Sequence, residues 1–450
     1  MAAGLKRLFV GLHADHRRIA LGAARVAFFL LLGKVVGAFK EMAVAYRYGV
    51  SDVVDAYQFT LTLANWLPVT LVGACSVVLI PALVRSRRQP EAEHFRFLRE
   101  LQGVALLLGA VVAVVLLVVW PLVVPWVGRG LSGHVREMSA LLILGFAPAA
   151  LFTIWTGLSA ARLRAHERHI NTLLDSMPAL VILVWVLASP AGGLWPLLWG
   201  TLAGYALQSI LLAAVAAWAD GRPGGALLGR RSPQWSTLAA AAGIMLVGQL
   251  AMSLVGPIDQ YTAARLGENA NAVLGYAARL LSLALGIGAA SVGRAALPVL
   301  ADIQGRGDPL HARRMALKWS AGMLAVGALV VLVGWLLAPW GVALLFERGA
   351  FTARDTLVVA EVLRWGLLQL PFYFGVLILV QLLASQNRYG LMALIAVLNF
   401  LVKAVMNHVL APVMGPSGIM LATALMYASS YVCYLCLALR RPAESSEERA

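Results

Sequence analysis

Charge is scarce in this 450-residue chain: Asp, Glu, Lys and Arg make up 13% of it, against 61% hydrophobic residues and a mean hydropathy of +0.81. A soluble domain carries about twice that charge, so a water-soluble fold is excluded. Cysteine is scarcer still. Cys75, Cys433 and Cys436 are too few for a disulfide framework, and Cys433-x-x-Cys436 lies in an apolar run rather than beside a redox fold, so all three read as small apolar fillers. Acids and histidines do not gather into a catalytic or metal centre. His13 and His16 flank Asp15, and His166 and His169 flank Glu167, spacings a metal could use, but both groups lie in polar segments and read as solvated charge. No catalytic residue, metal or cofactor is assigned. Acidic residues are outnumbered, 21 against 36 basic ones, for a formal charge of +15. No nucleic-acid motif accompanies that excess, and membrane proteins acquire it from the loops on one face.

Long apolar runs are what the chain has in quantity. A helix needs about 20 mainly apolar residues to cross about 30 Å of hydrocarbon. Such runs lie near 19–45, 53–83, 101–125, 138–161, 172–190, 194–218, 236–266, 274–303, 317–340, 356–384, 389–412 and 417–440. The expectation is an all-α integral membrane protein of about twelve transmembrane helices. Most Lys and Arg fall in the N-terminus, 85–99, 162–168, 222–231, 306–318, Arg388 and the C-terminal tail, which are alternate loops. The positive-inside rule places those loops, and both termini, in the cytoplasm. Residues 1–18 read as an amphipathic lead-in, not a cleaved signal peptide.

A repeat organises the runs. Residues 41–83 place Glu41, Gly49, Tyr57 and Pro81 in the order and nearly the spacing of Asp259, Gly267, Tyr276 and Pro298. The match stands at the start of each predicted set of six helices. Duplication with an even number of spans gives parallel repeats about an axis along the membrane normal. The predicted organisation is a lead-in (1–18), an N-terminal six-helix lobe (19–219), a cytoplasmic linker (220–235), a C-terminal six-helix lobe (236–440) and a tail (441–450). The two pseudo-symmetric bundles would surround a central cavity, and proteins built this way carry substrate between their halves by rocking.

Charges inside such runs are expensive and normally face a cavity or a partner. Lys34, Gly37 and Glu41 share one face of the first span, while Lys40 lies about 120° round from Lys34. Either a self-neutralising Lys-Glu pair or a charged cavity wall fits. Asn399, Lys403 and Asn407 recur at every fourth position of the eleventh span, and Arg279, Ser282 and Gly286 make a similar stripe in the eighth. Glu361 and Arg364, at i and i+3, read as a local ion pair. Asp259 follows Gly256-Pro257, where proline invites a helix break. It fits an ion or proton site and equally a pairing with Arg279 or Arg265. With basic groups in excess, the cavity would be electropositive and suited to phosphate or pyrophosphate. That argues against a cationic drug as cargo.

Lys34-Val-Val-Gly37-Ala38-Phe39-Lys40-Glu41 resembles the Arg-x-x-Gly-Phe-x-Arg-Asp stretch of the MurJ/MviN family of lipid-linked oligosaccharide flippases, with every charge sign kept. This family belongs to a superfamily that also holds polysaccharide exporters and MATE drug exporters. Asp55-Ala56, Leu63-Ala64-Asn65, Tyr276-Ala277-Ala278-Arg279-Leu280 and Leu345-Phe346-Glu347-Arg348-Gly349-Ala350-Phe351-Thr352 resemble further family elements in the same order. Pro68 and Val69 stand where the family has a basic pair, Gln260 where it has Arg after Asp259, and Gln381 where it has another Arg. Lipid II flippases of the family usually have two more C-terminal helices. The resemblance implies flipping of an undecaprenyl-pyrophosphate-linked saccharide across the inner membrane by a monomer among membrane lipids. The cargo would be an exopolysaccharide or O-antigen unit, or lipid II. Lys34, Lys40, Arg279, Lys403, Asn65, Asn399 and Asn407 would contact it, and Glu41, Asp259 and Asp55 would serve as ion-coupling groups or charge partners. Membrane potential, H+ or Na+ would supply energy. A MATE-type cation exporter would need an acid-rich cavity, and a membrane glycosyltransferase or polymerase a carboxylate or metal site in a large loop.

Overall fold

The computed structural model describes residues 14–439 apart from 88, 167, 169, 190–192, 222–224, 268, 287–308 and 387. Pro298, the tail 441–450, His13, Glu167, His169 and most of the lead-in lie outside the described residues. Regular structure among the described residues is helical: α1 Ala14–Tyr48, α2 Asp52–Ser86, α3 Glu91–Val127, α4 Gly133–Ala165, α5 Met177–Ala188 and α6 Trp195–Ala219. There follow α7 Gln234–Ser253, α8 Val255–Leu266, α9 Ala270–Gly286, α10 Pro309–Phe346, α11 Ala353–Leu367, α12 Leu370–Ser385, α13 Tyr389–Met414 and α14 Pro416–Leu439. Helices suit hydrocarbon because each satisfies its backbone groups internally.

Among the described residues nine helical stretches are long and apolar enough to cross a membrane by length and composition, with α5 counted from a short turn at Asn171 (Asn171–Ala188) and α11 and α12 counted together (Ala353–Ala384). The other three predicted spans correspond to α1, which carries Lys34, Lys40 and Glu41, to the α7–α8 pair, and to α9, which is described only as far as Gly286. The apolar side chains turn outward as well as inward. Val111, Val114, Val115 and Val118 of α3 are exposed, as expected where the solvent is lipid.

Prolines mark the interruptions. The α7–α8 break falls at Leu254, so Pro257 lies in the first turn of α8, where its missing N–H costs no hydrogen bond. Pro371 occupies the same kind of position at the start of α12 and divides the tenth predicted span in two.

The chain forms two compact units, each assembled from segments distant in sequence. The first comprises Met1–Val44, Leu67–Pro121 and Ala140–Val247. Its core joins α2, α3 and α4 through Leu83, Phe97, Leu101 and Leu158, and α5 packs on α6. The second comprises Ala45–Trp66, Leu122–Ser139 and Gly248–Ala450. In it α10 packs on α12 and α13 on α14, around Leu379, Leu382, Ile395 and Tyr434.

The repeat has a conformational counterpart. Gly49 and Gly267 hold φ of +57° and +68°, both left-handed, while Tyr57 and Tyr276 are both fully buried. A Cβ on Gly49 would also stand 2.3 Å from the Ala350 carbonyl oxygen. Gly49→Ala is therefore expected to cost about 1–2 kcal/mol from the left-handed backbone alone, with the clash added, and to lower the melting temperature in detergent. Gly37→Ala, with no atom within 4 Å of the new Cβ, should leave it unchanged.

Candidate functional site

The second unit joins residues from both sides of the predicted linker. The Ala350 amide donates to the Tyr46 carbonyl at 2.8 Å. The Tyr276 hydroxyl donates to the Gly49 carbonyl at 2.9 Å, and its ring packs against Phe346 and Phe351 with centroids 5.2 and 5.3 Å away. Asp55 is 1% exposed. Its carboxylate accepts from the Ala272 amide at 3.0 Å and from Asn271 Nδ2 at 3.3 Å. A carboxylate at the first turn of α9 satisfies donors the helix cannot and complements its dipole. Farther along α2, Trp66 Nε1 donates to Ser253 Oγ at 2.9 Å. Side-chain hydrogen bonds hold the loop behind Ala350. Thr352 and Asp355 form a capping box on α11, and Thr356 Oγ1 donates to Glu347 at 2.7 Å.

Deeper in this unit lies a buried ion pair. Lys403 of α13 is fully buried, and its ammonium meets three oxygens: Asp259 Oδ1 at 2.7 Å, the Ile419 carbonyl at 2.8 Å and Thr423 Oγ1 at 2.6 Å. Asn407, one turn on, donates to Asp259 at 2.9 Å and lies 3.3 Å from Thr262 Oγ1. The four-residue spacing read from the sequence thus puts Lys403 and Asn407 on one carboxylate. Asp259 is paired, but with Lys403 and not with Arg279 or Arg265. Thr262, Thr423 and the Ile419 carbonyl carried no sequence signal, since threonines and carbonyls are ordinary in apolar helices. Asn399 is half-buried, and Arg279 is exposed on α9.

In the first unit, Glu41 pairs with its neighbour Lys40 at 2.6 Å, both nearly buried. Helical angles alone set Lys40 off that face, but a long flexible side chain reaches back. Lys34 of α1 is half-buried, as is Asn65 of α2 in the second unit. The expected Glu361–Arg364 pair is replaced: Arg364 Nε donates to the Trp335 carbonyl at 2.9 Å, with the guanidinium over the Trp335 ring. The linker ends are held firmly. Asp220 accepts from Arg162 at 2.5 and 2.9 Å and lies 2.6 Å from His166. Glu100 accepts from the Arg231 and Ser232 amides and from Trp235 Nε1. His166 thus has a carboxylate partner, and no metal-binding group of His, Cys and acids occurs among the described residues.

The family profile described as Lipid II flippase MurJ matches residues 44–448. The chain belongs to the MurJ family. Similar proteins include the probable lipid II flippase MurJ of Synechocystis, 25% identical over 94% of this chain and 82% of that protein. The probable lipid II flippase MurJ of Rhizobium tropici is 24% identical over 76% of this chain and 66% of that one. A solved lipid II flippase MurJ in an inward closed conformation superposes with a TM-score of 0.80 at 19% identity, covering 93% of this chain and 88% of that chain. An inward-facing MATE-family multidrug transporter superposes with a TM-score of 0.72 at 14% identity, over 91% and 97%. At these identities the solved structures speak for the fold. This MurJ family member is a multi-pass membrane transporter and not an enzyme.

In this MurJ relative, removing one partner of the buried pair strands a charge, which costs about 3–5 kcal/mol. Lys403→Ala should accordingly lower the yield and melting temperature of the purified protein, and Lys403→Met with Asp259→Asn should restore much of both. A Lys403→Ala protein as stable as the parent would show that this lysine does not hold the unit together.

Proposed function

We propose that this protein flips an undecaprenyl-pyrophosphate-linked peptidoglycan precursor, lipid II, from the cytoplasmic to the outer leaflet of the inner membrane by alternating access. One structural observation carries the mechanism. The second unit stitches Tyr46, Gly49, Asp55 and Trp66, from the N-terminal half, to Ala350, Tyr276, Ala272 and Ser253, from the C-terminal half. Two six-helix lobes, 19–219 and 236–440, cannot rock apart at that end without breaking this seam. The charge bias of the loops puts the seam on the outer face and both termini in the cytoplasm. On this reading, closing the seam shuts the outer side of the transport path.

Family membership and the relatives' names favour lipid II over a surface-polysaccharide unit as cargo. Lys34, Lys40 and Arg279 are the cations proposed to meet the pyrophosphate, with Asn65 and Asn399 beside the sugar. Lys403, Asn407 and Asp259 are assigned to holding α8, α13 and α14 together, because the ammonium is already spent on three oxygens. Glu41 sets the position of Lys40, and Asp55 that of α9. Each of these groups is an ordinary side chain, and the proposed cycle runs in a monomer without a cofactor, driven by membrane potential, H+ or Na+.

Expression in a bacterium depleted of its own lipid II flippase, with insertion checked by immunoblot, tests the cargo. Growth is the expected result. Lysis with correctly inserted protein would reject lipid II in favour of a surface-polysaccharide intermediate. Lys34→Ala should abolish rescue while leaving the inserted protein level unchanged.

A further inference from the structure

The first unit contains an apolar, partly open hollow of about 150 Å³ between α2, α3, α4 and α7, with Leu71, Cys75, Leu79, Leu108, Ile154 and Ala242 in its wall. A second hollow of about 230 Å³ adjoins it through the shared Leu238 and is the more polar of the two, with Arg85, Ser86, Gln89 and Gln234 beside Val78 and Ala82 in its wall. From Leu71 to Arg85 the strip runs about 21 Å along α2 at 1.5 Å per residue, which is about the depth of one leaflet with its headgroups.

The apolar part has little to offer water, which needs two to four polar partners in such a space. Ser76 Oγ already donates to the Val72 carbonyl at 2.6 Å, and Trp235 Nε1 to Glu100 at 2.7 Å. The other end has different chemistry. Arg85 is exposed in the last turn of α2, and the amides of Gln89 and Gln234 meet side chain to side chain. The Gln234 side-chain oxygen is a buried acceptor without a donor. A ligand that matches all of this has a hydrocarbon chain, an anionic phosphate and a hydroxyl near the phosphate.

We propose that this strip holds one acyl chain of an anionic, hydroxyl-headed bilayer phospholipid, of the phosphatidylglycerol kind, with its phosphate at Arg85 and a head hydroxyl donating to Gln234. The chain fills the gap between α2, α3 and α4 on one side and α7 on the other. The lipid is then a structural part of the first unit, distinct from the transported glycolipid.

The probe is phosphatidylglycerol with a diazirine in its acyl chain, added to the full-length protein in phosphatidylcholine nanodiscs and mapped by peptide mass spectrometry. Adducts are expected in 71–79 and 235–242, competed by plain phosphatidylglycerol and not by phosphatidylcholine. Arg85→Ala should weaken that competition about five-fold, the worth of one arginine beside an anionic head. Ala242→Phe, which fills the hollow, should remove the adducts. Adducts spread evenly over Val111 to Val118 of α3, equal competition by phosphatidylcholine, or competition by undecaprenyl phosphate alone would each overturn the proposal.

Discussion

A lysine ammonium sealed off from solvent inside a bundle of apolar helices has to be matched by oxygen, because hydrocarbon offers it nothing. Lys403 obtains its match from three places: a carboxylate on α8, and a main-chain carbonyl and a hydroxyl on α14. The consecutive helices α13 and α14 are therefore fixed at one point to α8, far away in sequence, and Asn407 ties the same carboxylate a second time. Replacing the set by well-packed apolar groups of similar size need not weaken such a bundle. What the charges contribute is a single register: sliding α13 by one residue would turn Lys403 about 100° away from its oxygens.

With that bundle fixed, the seam across the two sequence halves can be read as a separable contact. Its bonds are neutral main-chain and side-chain hydrogen bonds, apart from the Asp55 carboxylate at the start of α9. A typical hydrogen bond of this sort contributes about 0.5–1.5 kcal/mol net. A handful of them, closed by the aromatic group around Tyr276, is of the strength that the proposed cycle requires of a contact that shuts and reopens. Under the proposed cycle the charged pair in the bundle would stay closed while the neutral bonds in the seam open.

The helices were largely legible in the sequence because length and apolarity suffice to set them. The repeat was legible too: Gly49 and Gly267 share a left-handed backbone, and no other residue type adopts that conformation as readily. Partners were harder. The string Leu345–Thr352 stood out as a motif, yet its contact with Tyr46 depends on how distant segments fold together. Helical angles put Asn407 and Lys403 on one face, but could not say that the face turns inward to Asp259 rather than toward a cavity. The break at Leu254 was half visible, since Pro257 announces that a helix will restart nearby without fixing the residue, whereas the break before Pro371 lay inside a run that reads as one span.

The most direct test of the account is to hold the seam shut. In a variant with Cys75, Cys433 and Cys436 changed to Ser, Tyr46→Cys and Ala350→Cys can be joined by a short reducible cross-linker in proteoliposomes carrying fluorescent lipid II. Flipping is read by its accessibility in the opposite leaflet. Transport should stop when the linker is in place and return when it is reduced. Undiminished transport with the seam covalently closed would contradict alternating access through this end of the molecule.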